Sequence, residues 1–343
     1  MVKKKKVSIL DIAKKLNISK STVSFIVNGK ARERRISEEL TEKVLQVVKE
    51  MGYKPNHLAQ SLATGKTNSI GLIVENISDS FFSNIASLIE EKAYNSGYEI
   101  IYSSTNDDVA KTKSLLRMFR ERQVDGYIIC PPIGVEEEIR ALIEEGTPVV
   151  LFDRHLPNVA ADYVGTDNQE STYAACDFLY GQGFRHIAFV TLVSAQSQMQ
   201  ERLAGYQGLI AAHGLESYLL EIPYQLRDTS AIERIGAFLE AHPGIDAVCF
   251  ATNYLAVRGL QAMQRLGLKI PGDIAVVAFD DIELFQLYSP PITSVAQPME
   301  EISNTLINIL LQQLQAVRLG SKGKKVIIPS RLTIRESTRK VST

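Results

Sequence analysis

The stretch that decides the fold of the first part of the chain is VSILDIAKKLNISKSTVSFIVNG, residues 7–29. Ser8 is a favourable helix N-cap with Asp11 three residues later, and apolar residues follow at helical spacing. Residues 17–19 interrupt this pattern, and Ser19 caps a second short helix. Two helices joined by so tight a turn indicate a helix-turn-helix unit, which a third predicted helix completes into a small core.

From residue 70 onward, short runs of β-branched residues alternate with amphipathic helical segments. This alternation predicts parallel sheets in an α/β protein, and the run is long enough for two doubly wound units. Asp153, Asn253 and Asp280 lie at or just after predicted strand ends, at the sheet edge where open α/β sheets bind ligands. The predicted strands are Ile70–Val74, Glu99–Ser103, Tyr127–Cys130, Val149–Asp153, Ile187–Thr191, Ala247–Ala251 and Ile274–Phe279.

The length of 343 residues indicates more than one folding unit. With 45% apolar and 22% charged residues, the composition is that of a globular protein with sizeable cores. No apolar run approaches about 18 residues and no signal peptide is visible, so we expect a cytoplasmic protein without a membrane partner. Cys130, Cys176 and Cys249 are far apart and set in apolar runs, which argues against disulfides and against a zinc site.

The charge is distributed unevenly along the chain. Residues 1–66 carry 15 Lys and Arg against 6 Asp and Glu, a net +9, whereas residues 67–343 carry 23 against 33, a net −10. A basic head on an acidic body suggests that the head binds a polyanion. A solubilising lysine tail is the alternative interpretation of the charge alone.

The second helix of the head presents a polar face opposite its apolar stripe. In helix-turn-helix proteins the first residues of this helix reach base edges in the major groove, while hydroxyls and backbone amides hold phosphates. A solvated helix face is the alternative, but the turn and the basic charge together favour DNA binding. The residues of this face are Lys20, Ser21, Thr22, Ser24 and Phe25.

Further motifs follow residues 7–29 along the chain. They are GYKPN at 52–56, AQSL at 59–62, ERLAG at 201–205, IPGDIAVVAFDD at 270–281, PPIT at 290–293 and REST at 335–338. With them the chain resembles, over essentially its full length, the lactose-repressor/galactose-repressor (LacI/GalR) family of bacterial transcriptional regulators. Several independent motifs in the family order make this match specific.

The resemblance implies a small all-α helix-turn-helix head and a periplasmic-binding-protein-like core of two doubly wound α/β lobes. The head is expected at 1–54, a hinge helix with its linker at 55–68, and an effector-binding and dimerisation core at 69–343. The first lobe is expected at about 69–165 and 298–329. The second lobe is expected at about 166–297 and 330–338.

Between head and core, Asn56 is a favourable N-cap that predicts a helix of about two turns, too short to be stable alone in water. The resemblance implies that this hinge helix folds when two copies pack in the DNA minor groove, where Leu62 wedges between base pairs. The alternative is that Leu62 is a linker residue that touches the core. The DNA-binding residues implied in this way are Ser8, Ser19, Lys20, Ser21, Thr22, Ser24, Phe25, Asn28, Tyr53, Asn56, Ala59 and Leu62.

The family positions that contact effector lie between the two lobes. Carboxylates accept pairs of hydrogen bonds from hydroxyls and an arginine fork donates to oxygens, which suits a sugar, a sugar acid or a sugar phosphate. The alternatives are turn capping for the two aspartates and a surface ion pair for Arg202. The residues carried over are Phe81, Phe82, Asp153, Arg202, Asn253, Asp280 and Gln297.

The sequence departs from the family pattern at three places. Phe25 stands where the family usually has arginine, so we expect a guanine contact to be lost and an apolar contact, for which a thymine methyl is a candidate partner, to replace it. Tyr254 follows Asn253 where relatives often have aspartate. No heptad leucine tail follows Arg335 in this sequence, so we do not expect the tetramers that some members form through such a tail.

These observations predict an effector-responsive, sequence-specific DNA-binding repressor of carbohydrate-utilisation genes that acts as a homodimer. We expect no cofactor, no metal and no catalytic residue. The rival classes are a sugar-acting enzyme and a sugar-binding protein with a fused head. Against the enzyme, the sequence has no G-x-S-x-G elbow and no phosphate loop, and its five histidines are scattered.

Overall fold

The computed structural model of the chain describes residues 7–53, 65–227, 229–315 and 323–339. The chain divides into two compact units, Met1–Thr67 and Asn68–Thr343. No helix among the described residues is long and apolar enough to cross a bilayer. The predicted DNA contacts Asn56, Ala59 and Leu62 lie outside the described residues.

The first unit contains three helices around one small core, as the sequence predicts. They are α1 (Ile9–Leu16), α2 (Lys20–Val27) and α3 (Glu38–Glu50). Each helix contributes apolar residues at helical spacing to one face, and burial of these faces holds the short helices together. The buried residues are Ile12, Ala13, Val23, Ile26, Ala31, Val44 and Val47.

Local hydrogen bonds fix the turn between α1 and α2. Asn17 adopts a left-handed conformation with φ of 53°, which asparagine tolerates better than most residues. The amide of Ile18 donates to the Ala13 carbonyl at 3.1 Å and closes the end of α1. The Ser19 hydroxyl then accepts from the Thr22 amide at 3.0 Å and starts α2. The turn therefore leaves the N-terminus of α2 at the surface.

The second unit begins with alternating strands and helices. Their order is β1 (Ser69–Val74), α4 (Ser80–Asn95), β2 (Glu99–Ser104), α5 (Val109–Glu121), β3 (Gly126–Ile129), α6 (Glu136–Glu144), β4 (Val149–Phe152) and β5 (Asp162–Thr166). Helices α4 and α5 end in the last turn with a basic side chain, Lys92 and Arg120, which favours the negative end of each helix dipole.

The same alternation continues to the end of the unit. The elements are α7 (Asn168–Gly181), β6 (Ile187–Val193), α8 (Ser197–His213), β7 (Tyr218–Pro223), α9 (Thr229–Ala241), β8 (Ala247–Phe250), α10 (Asn253–Leu266), β9 (Ala275–Phe279), α11 (Glu283–Leu287), β10 (Thr293–Ala296), α12 (Met299–Gln315), β11 (Lys325–Ile328) and β12 (Arg331–Thr333). Two short 3₁₀ turns cover Tyr224–Leu226 and Glu336–Thr338.

Two six-stranded sheets organise this unit into two lobes. The first sheet has the order β11-β5-β4-β3-β1-β2 and all its pairs are parallel. The second has the order β12-β10-β9-β8-β6-β7, and β12 pairs antiparallel with β10. The chain passes from one sheet to the other after β5, after β10 and after β11, so each lobe contains segments from both halves of the unit.

The central strands are buried on both faces because helices pack on each side of both sheets. The predicted strands at the centre of each sheet are confirmed, with ends shifted by one or two residues. Asp153 is a correction: it lies outside β4, because its φ of 62° breaks the extended backbone. The sequence reasoning missed the strands β5, β7, β10, β11 and β12.

Candidate effector site and DNA-binding face

A small cavity lies between the two lobes, at the carboxyl ends of strands from both sheets. Its volume is about 40 Å³, room for about three water molecules and too little for a sugar ring. Polar residues that directly follow β1, β4 and β9 reach it, as expected for ligand sites in open α/β sheets. The lining residues are Glu75, Asp79, Phe81, Phe82, Asp153, Arg154, Leu192, Gln196, Gln198, Met199, Arg202, Thr252, Tyr254, Asp280 and Gln297.

Asp153 and Asp280 are placed by the same backbone device in the two lobes. Each follows a strand with a positive φ, 62° for Asp153 and 69° for Asp280. Each amide donates to a carbonyl of the adjacent strand, at Val164 for Asp153 and at Val295 for Asp280. Aspartate is among the residues that tolerate this conformation, which costs of order 1–3 kcal/mol and clusters at functional sites. Both side chains are thereby directed to the cavity that they line.

The carboxylates of Asp153 and Asp280 accept hydrogen bonds from side chains. Gln297 Nε2 donates to Asp280 Oδ1 at 2.6 Å, and Gln198 Nε2 donates to Asp153 Oδ2 at 3.4 Å. Burial raises the pKa of Asp153 to about 6; the charge of Arg202 opposes this rise and that of Asp280 adds to it. These contacts differ from the backbone-amide bonds of a turn cap.

Arg202 extends from α8 into the second lobe and is 3% exposed, so it does not form a surface ion pair. Its Nε donates to Asn168 Oδ1 at 2.9 Å and its Nη1 to the Ala251 carbonyl at 2.7 Å. The guanidinium lies 3.5 Å from the ring centroid of Phe279. Gly205, one turn later, allows α8 to pack closely on α7, since a Cβ at this position would lie 2.3 Å from the Gln169 carbonyl oxygen.

The N-terminus of α4 supplies the first lobe's apolar wall. Asp79 caps this helix by accepting from the Phe81 amide at 2.8 Å. Phe81 and Phe82 are both buried, pack edge to face with ring centroids 5.1 Å apart, and line the cavity. Burial, and then the charge of Asp280, raise the pKa of Asp79. Both phenylalanines therefore belong to the core of the lobe as well as to the cavity.

Asn253 and Gln297 occupy different places. Asn253 is buried at the start of α10, where its Nδ2 donates to Asp79 Oδ1 at 3.4 Å across the lobes; the residues on either side of it, Thr252 and Tyr254, line the cavity. Gln297 follows β10, where the chain crosses to the first lobe, and its Oε1 accepts from Thr166 Oγ1 at 3.1 Å. The structure therefore brings six of the seven predicted effector residues to the cavity and places the seventh, Asn253, beside it.

Sequence reasoning missed a charged network centred on Arg154. This residue is 3% exposed and forms ion pairs with Glu75 and, at 2.9 Å, with Asp107. Its Nε lies 3.5 Å from Asp153 Oδ2. Burial raises the pKa of Asp107 to about 6, against the lowering effects of Arg227 and Gln196. Their position in the sequence could have identified two of these residues, because Glu75 and Arg154 also come just after strand ends.

Second-lobe donors reach the same two carboxylates across the cleft. The Tyr224 hydroxyl donates to Glu75 Oε1 at 2.6 Å, and Gln196 Nε2 donates to Asp107 Oδ1 at 2.6 Å. We call these two hydrogen bonds the inter-lobe latch. The lobes are also joined by the His155 amide, which donates to Ser197 Oγ at 3.1 Å, and by the longer Asn253–Asp79 and Gln198–Asp153 hydrogen bonds.

In the head, the outward face of α2 carries the predicted DNA contacts. Lys20 and Ser21 are exposed, while the Phe25 ring is half-buried and lies 4.7 Å from the Arg34 guanidinium carbon. Ser8 and Ser19 act as N-caps of α1 and α2, so their hydroxyls already accept backbone amides. Arg34 is an exposed cation of this face that the sequence reasoning did not select.

The remaining predicted head contacts differ in their surroundings. Thr22 and Ser24 are half-buried on α2, and the Thr22 hydroxyl lies 2.8 Å from Ser19 Oγ. Asn28 Nδ2 donates to Ser24 Oγ at 3.3 Å at the end of α2. Tyr53 follows α3 and packs partly against the head core.

Comparison with known proteins assigns both units. Residues 8–56 match the family model described as bacterial regulatory proteins, lacI family, and residues 176–338 match a periplasmic binding protein-like domain. The chain is 30% identical to catabolite control protein A of Priestia megaterium over 97% of its own length and 99% of that protein. The chain belongs to the LacI family. The resemblance inferred from the motifs is therefore confirmed.

Other relatives support the same assignment. The LacI-family chain is 28% identical to the ribose operon repressor of Halalkalibacterium halodurans, over 97% of each sequence. A crystal structure of the lac repressor dimer bound to operator and an anti-inducer matches its fold with a TM-score of 0.83 at 23% identity, over 97% of this chain and 99% of that chain. The expected fold class, a helix-turn-helix head with a two-lobed periplasmic-binding-protein-like core, is confirmed.

Proposed function

We propose that this LacI-family protein is a sequence-specific repressor of carbohydrate-utilisation genes, controlled by a small sugar-like effector bound between its lobes. The observation that carries this proposal is the convergence of Asp153, Arg202 and Asp280 on one inter-lobe cavity. These groups suit a polyol, and they lie in a chain that also has a lacI-type head. The name of the ribose operon repressor supports a role in sugar metabolism.

The proposal assigns a role to each part of the chain. Residues 1–54 bind the operator, residues 55–68 form the hinge helix and linker, and residues 69–343 bind effector and dimerise. The contacts proposed for the operator are the twelve head and hinge residues given by the resemblance. We place the protein in the cytoplasm as a homodimer that uses no cofactor and catalyses no reaction.

Effector binding then requires the lobes to separate. A cavity of about 40 Å³ does not admit a sugar ring, so the inter-lobe latch opens before effector enters. An effector that binds one lobe arrangement more tightly shifts the population toward it, and operator affinity changes by the coupling free energy.

The test measures operator binding by fluorescence anisotropy, with an operator obtained by selection from a randomised duplex library. Lys20→Ala should weaken binding and flatten its salt dependence, because Lys20 is an exposed cation at the start of α2. Lys111→Ala removes a lysine that is also exposed but lies on α5 of the effector-binding unit. This change should leave both the operator affinity and its salt dependence unchanged.

Two results contradict the proposal. One is equal affinity of the parent for the selected operator and for an unrelated duplex. The other is an identical response of the two lysine variants. A turnover assay on common sugars and sugar phosphates separately tests the rival enzyme class.

A further inference from the structure

The inter-lobe cavity is richer in negative than in positive charge. Its lining includes four carboxylates and two guanidinium groups, a formal net charge of −2. The acidic residues are Glu75, Asp79, Asp153 and Asp280, and the basic residues are Arg154 and Arg202. A ligand that enters this space meets an excess of acceptors.

Both guanidinium groups already have partners in the closed lobes. Arg154 is already paired with Glu75 and Asp107. Arg202 donates from Nε and Nη1 to partners within its own lobe and stacks on Phe279. An incoming phosphate or carboxylate would compete with Glu75 and Asp107 for Arg154, and at Arg202 it would meet a guanidinium whose Nε and Nη1 are already engaged.

The acidic side chains also act on one another. The charge of Asp280 adds to burial in raising the pKa values of both Asp79 and Asp153. Their mutual repulsion disfavours any further negative charge and favours a ligand that donates hydrogen bonds or carries positive charge. No three acidic, His or Cys side chains in the described part of the chain are arranged to hold a metal ion, which favours an organic ligand.

An independent feature points to the same ligand chemistry. Gln198 lines the cavity, is 3% exposed, and its Oε1 atom has no hydrogen-bond partner. Its Nε2 atom is engaged with Asp153 and with Gln196. A buried acceptor without a donor costs about 1–3 kcal/mol, so a ligand that brings a hydroxyl or amine hydrogen is favoured here.

We infer that the cavity selects effectors that are rich in hydrogen-bond donors and carry no negative charge: neutral polyols such as aldoses, and their amino derivatives. Sugar acids and sugar phosphates are excluded. This inference rests on the proposed effector control and narrows it from sugar-like molecules in general to one charge class.

The experiment titrates the full-length protein by calorimetry with matched probes. One series is glucose, glucosamine, gluconate and glucose 6-phosphate; a second is galactose, galactosamine and galacturonate; a third is ribose and ribose 5-phosphate. Within the series that binds, the anionic members should bind at least about a hundredfold more weakly than the neutral sugar. The amino sugar should bind at least as tightly as the neutral one.

A pair of variants tests the electrostatic cause. Asp79→Asn removes one cavity carboxylate and keeps a residue that caps α4. It should reduce the discrimination against the anionic probe about tenfold or more. Asp108→Asn makes the same change at the cap of α5, where the side chain accepts from the Lys111 amide, and should leave the discrimination unchanged.

The outcomes separate this inference from the proposed function. An anionic probe that binds as tightly as its neutral parent, and changes operator affinity, overturns the inference while effector control stands. Equal discrimination by the two asparagine variants overturns the electrostatic cause. If no probe of any class binds or alters operator affinity, both the inference and the proposed effector control fail.

Discussion

Tyr224→Phe should loosen the closed arrangement of the lobes. The change deletes only the hydroxyl that donates to Glu75 Oε1 at 2.6 Å. The ring keeps its contact with the Arg227 guanidinium, whose carbon lies 3.6 Å from the ring centroid. Glu75 also keeps its ion pair with Arg154, so no buried charge is left without a partner. The variant therefore isolates one bond of the inter-lobe latch.

The expected size follows from the type of bond. A hydrogen bond to a charged acceptor contributes about 1.5–3 kcal/mol net. If the open lobes expose both groups to water, the opening equilibrium constant should rise by roughly 10- to 150-fold. The population of the effector-accessible state rises in proportion while the closed state remains dominant.

Hydrogen exchange followed by mass spectrometry measures this opening without a ligand. The His155 amide donates across the cleft to Ser197 Oγ, so its exchange reports separation of the lobes. Peptides that contain His155 should exchange faster in Tyr224→Phe, and small-angle scattering should show a larger radius of gyration if the open state becomes populated.

Tyr218→Phe is the matched control. The Tyr218 hydroxyl also donates to a glutamate, Glu216 Oε2 at 2.7 Å, but within one lobe at the surface. Its loss should leave exchange at His155 unchanged. If Tyr224→Phe also exchanged like the parent, the hydroxyl would not hold the lobes together and the latch would be refuted.

Three other changes probe the cavity and the head. Asp153→Asn should remove a pH dependence: because the folded pKa of Asp153 is about 6 against an ordinary value of 3.8, its stabilising contribution is complete below about pH 4 and is lost as pH rises through 6. When the pH falls from 7 to 5, the free energy of unfolding of the parent should rise by about 1 kcal/mol relative to that of the variant, as measured by urea titration. The same change with pH in both proteins would contradict this prediction. Arg202→Ala should destabilise the core by about 1–3 kcal/mol, because the Asn168 side chain and the Ala251 carbonyl lose a charged donor, and should reduce effector affinity tenfold or more. Arg234→Ala, at an exposed position on α9, should do neither; calorimetry and thermal unfolding decide. Phe25→Arg should shift the selected operator toward guanine at one position per half-site by about 1–3 kcal/mol, and an unchanged selection would show that this position does not read bases.

The sequence predicts those strands whose burial leaves a continuous apolar run. β8 and β9 are buried along their whole length, and their runs of apolar residues are visible without the structure. β11 and β12 are short edge strands with alternating or partial exposure, so they resemble loops in the sequence. Their pairing depends on partners far away, since β11 pairs with β5 across about 160 residues.

The candidate site divides in a similar way. Asp153 and Asp280 could be selected from the sequence because a polar residue directly after a buried strand indicates a ligand edge. Arg154 follows the same strand as Asp153, but a lone arginine in a loop is usually exposed. Only the fold brings Glu75 and Asp107, which follow β1 and β2, within reach of its guanidinium. Long-range burial, rather than spacing, creates this part of the site.

The arrangement of the Arg154 network also limits the free energy lost when the lobes open. Arg154, Glu75 and Asp107 all belong to the first lobe, so their ion pairs persist when the lobes separate. The hydrogen bonds that Glu75 and Asp107 lose when the lobes separate come from the uncharged donors of Tyr224 and Gln196, which water replaces. An ion pair that bridged the cleft would instead leave buried charges unpaired, at about 3–5 kcal/mol. Each of the two latch bonds has a charged acceptor and contributes about 1.5–3 kcal/mol, so effector binding to the open lobes has to offset the loss of both.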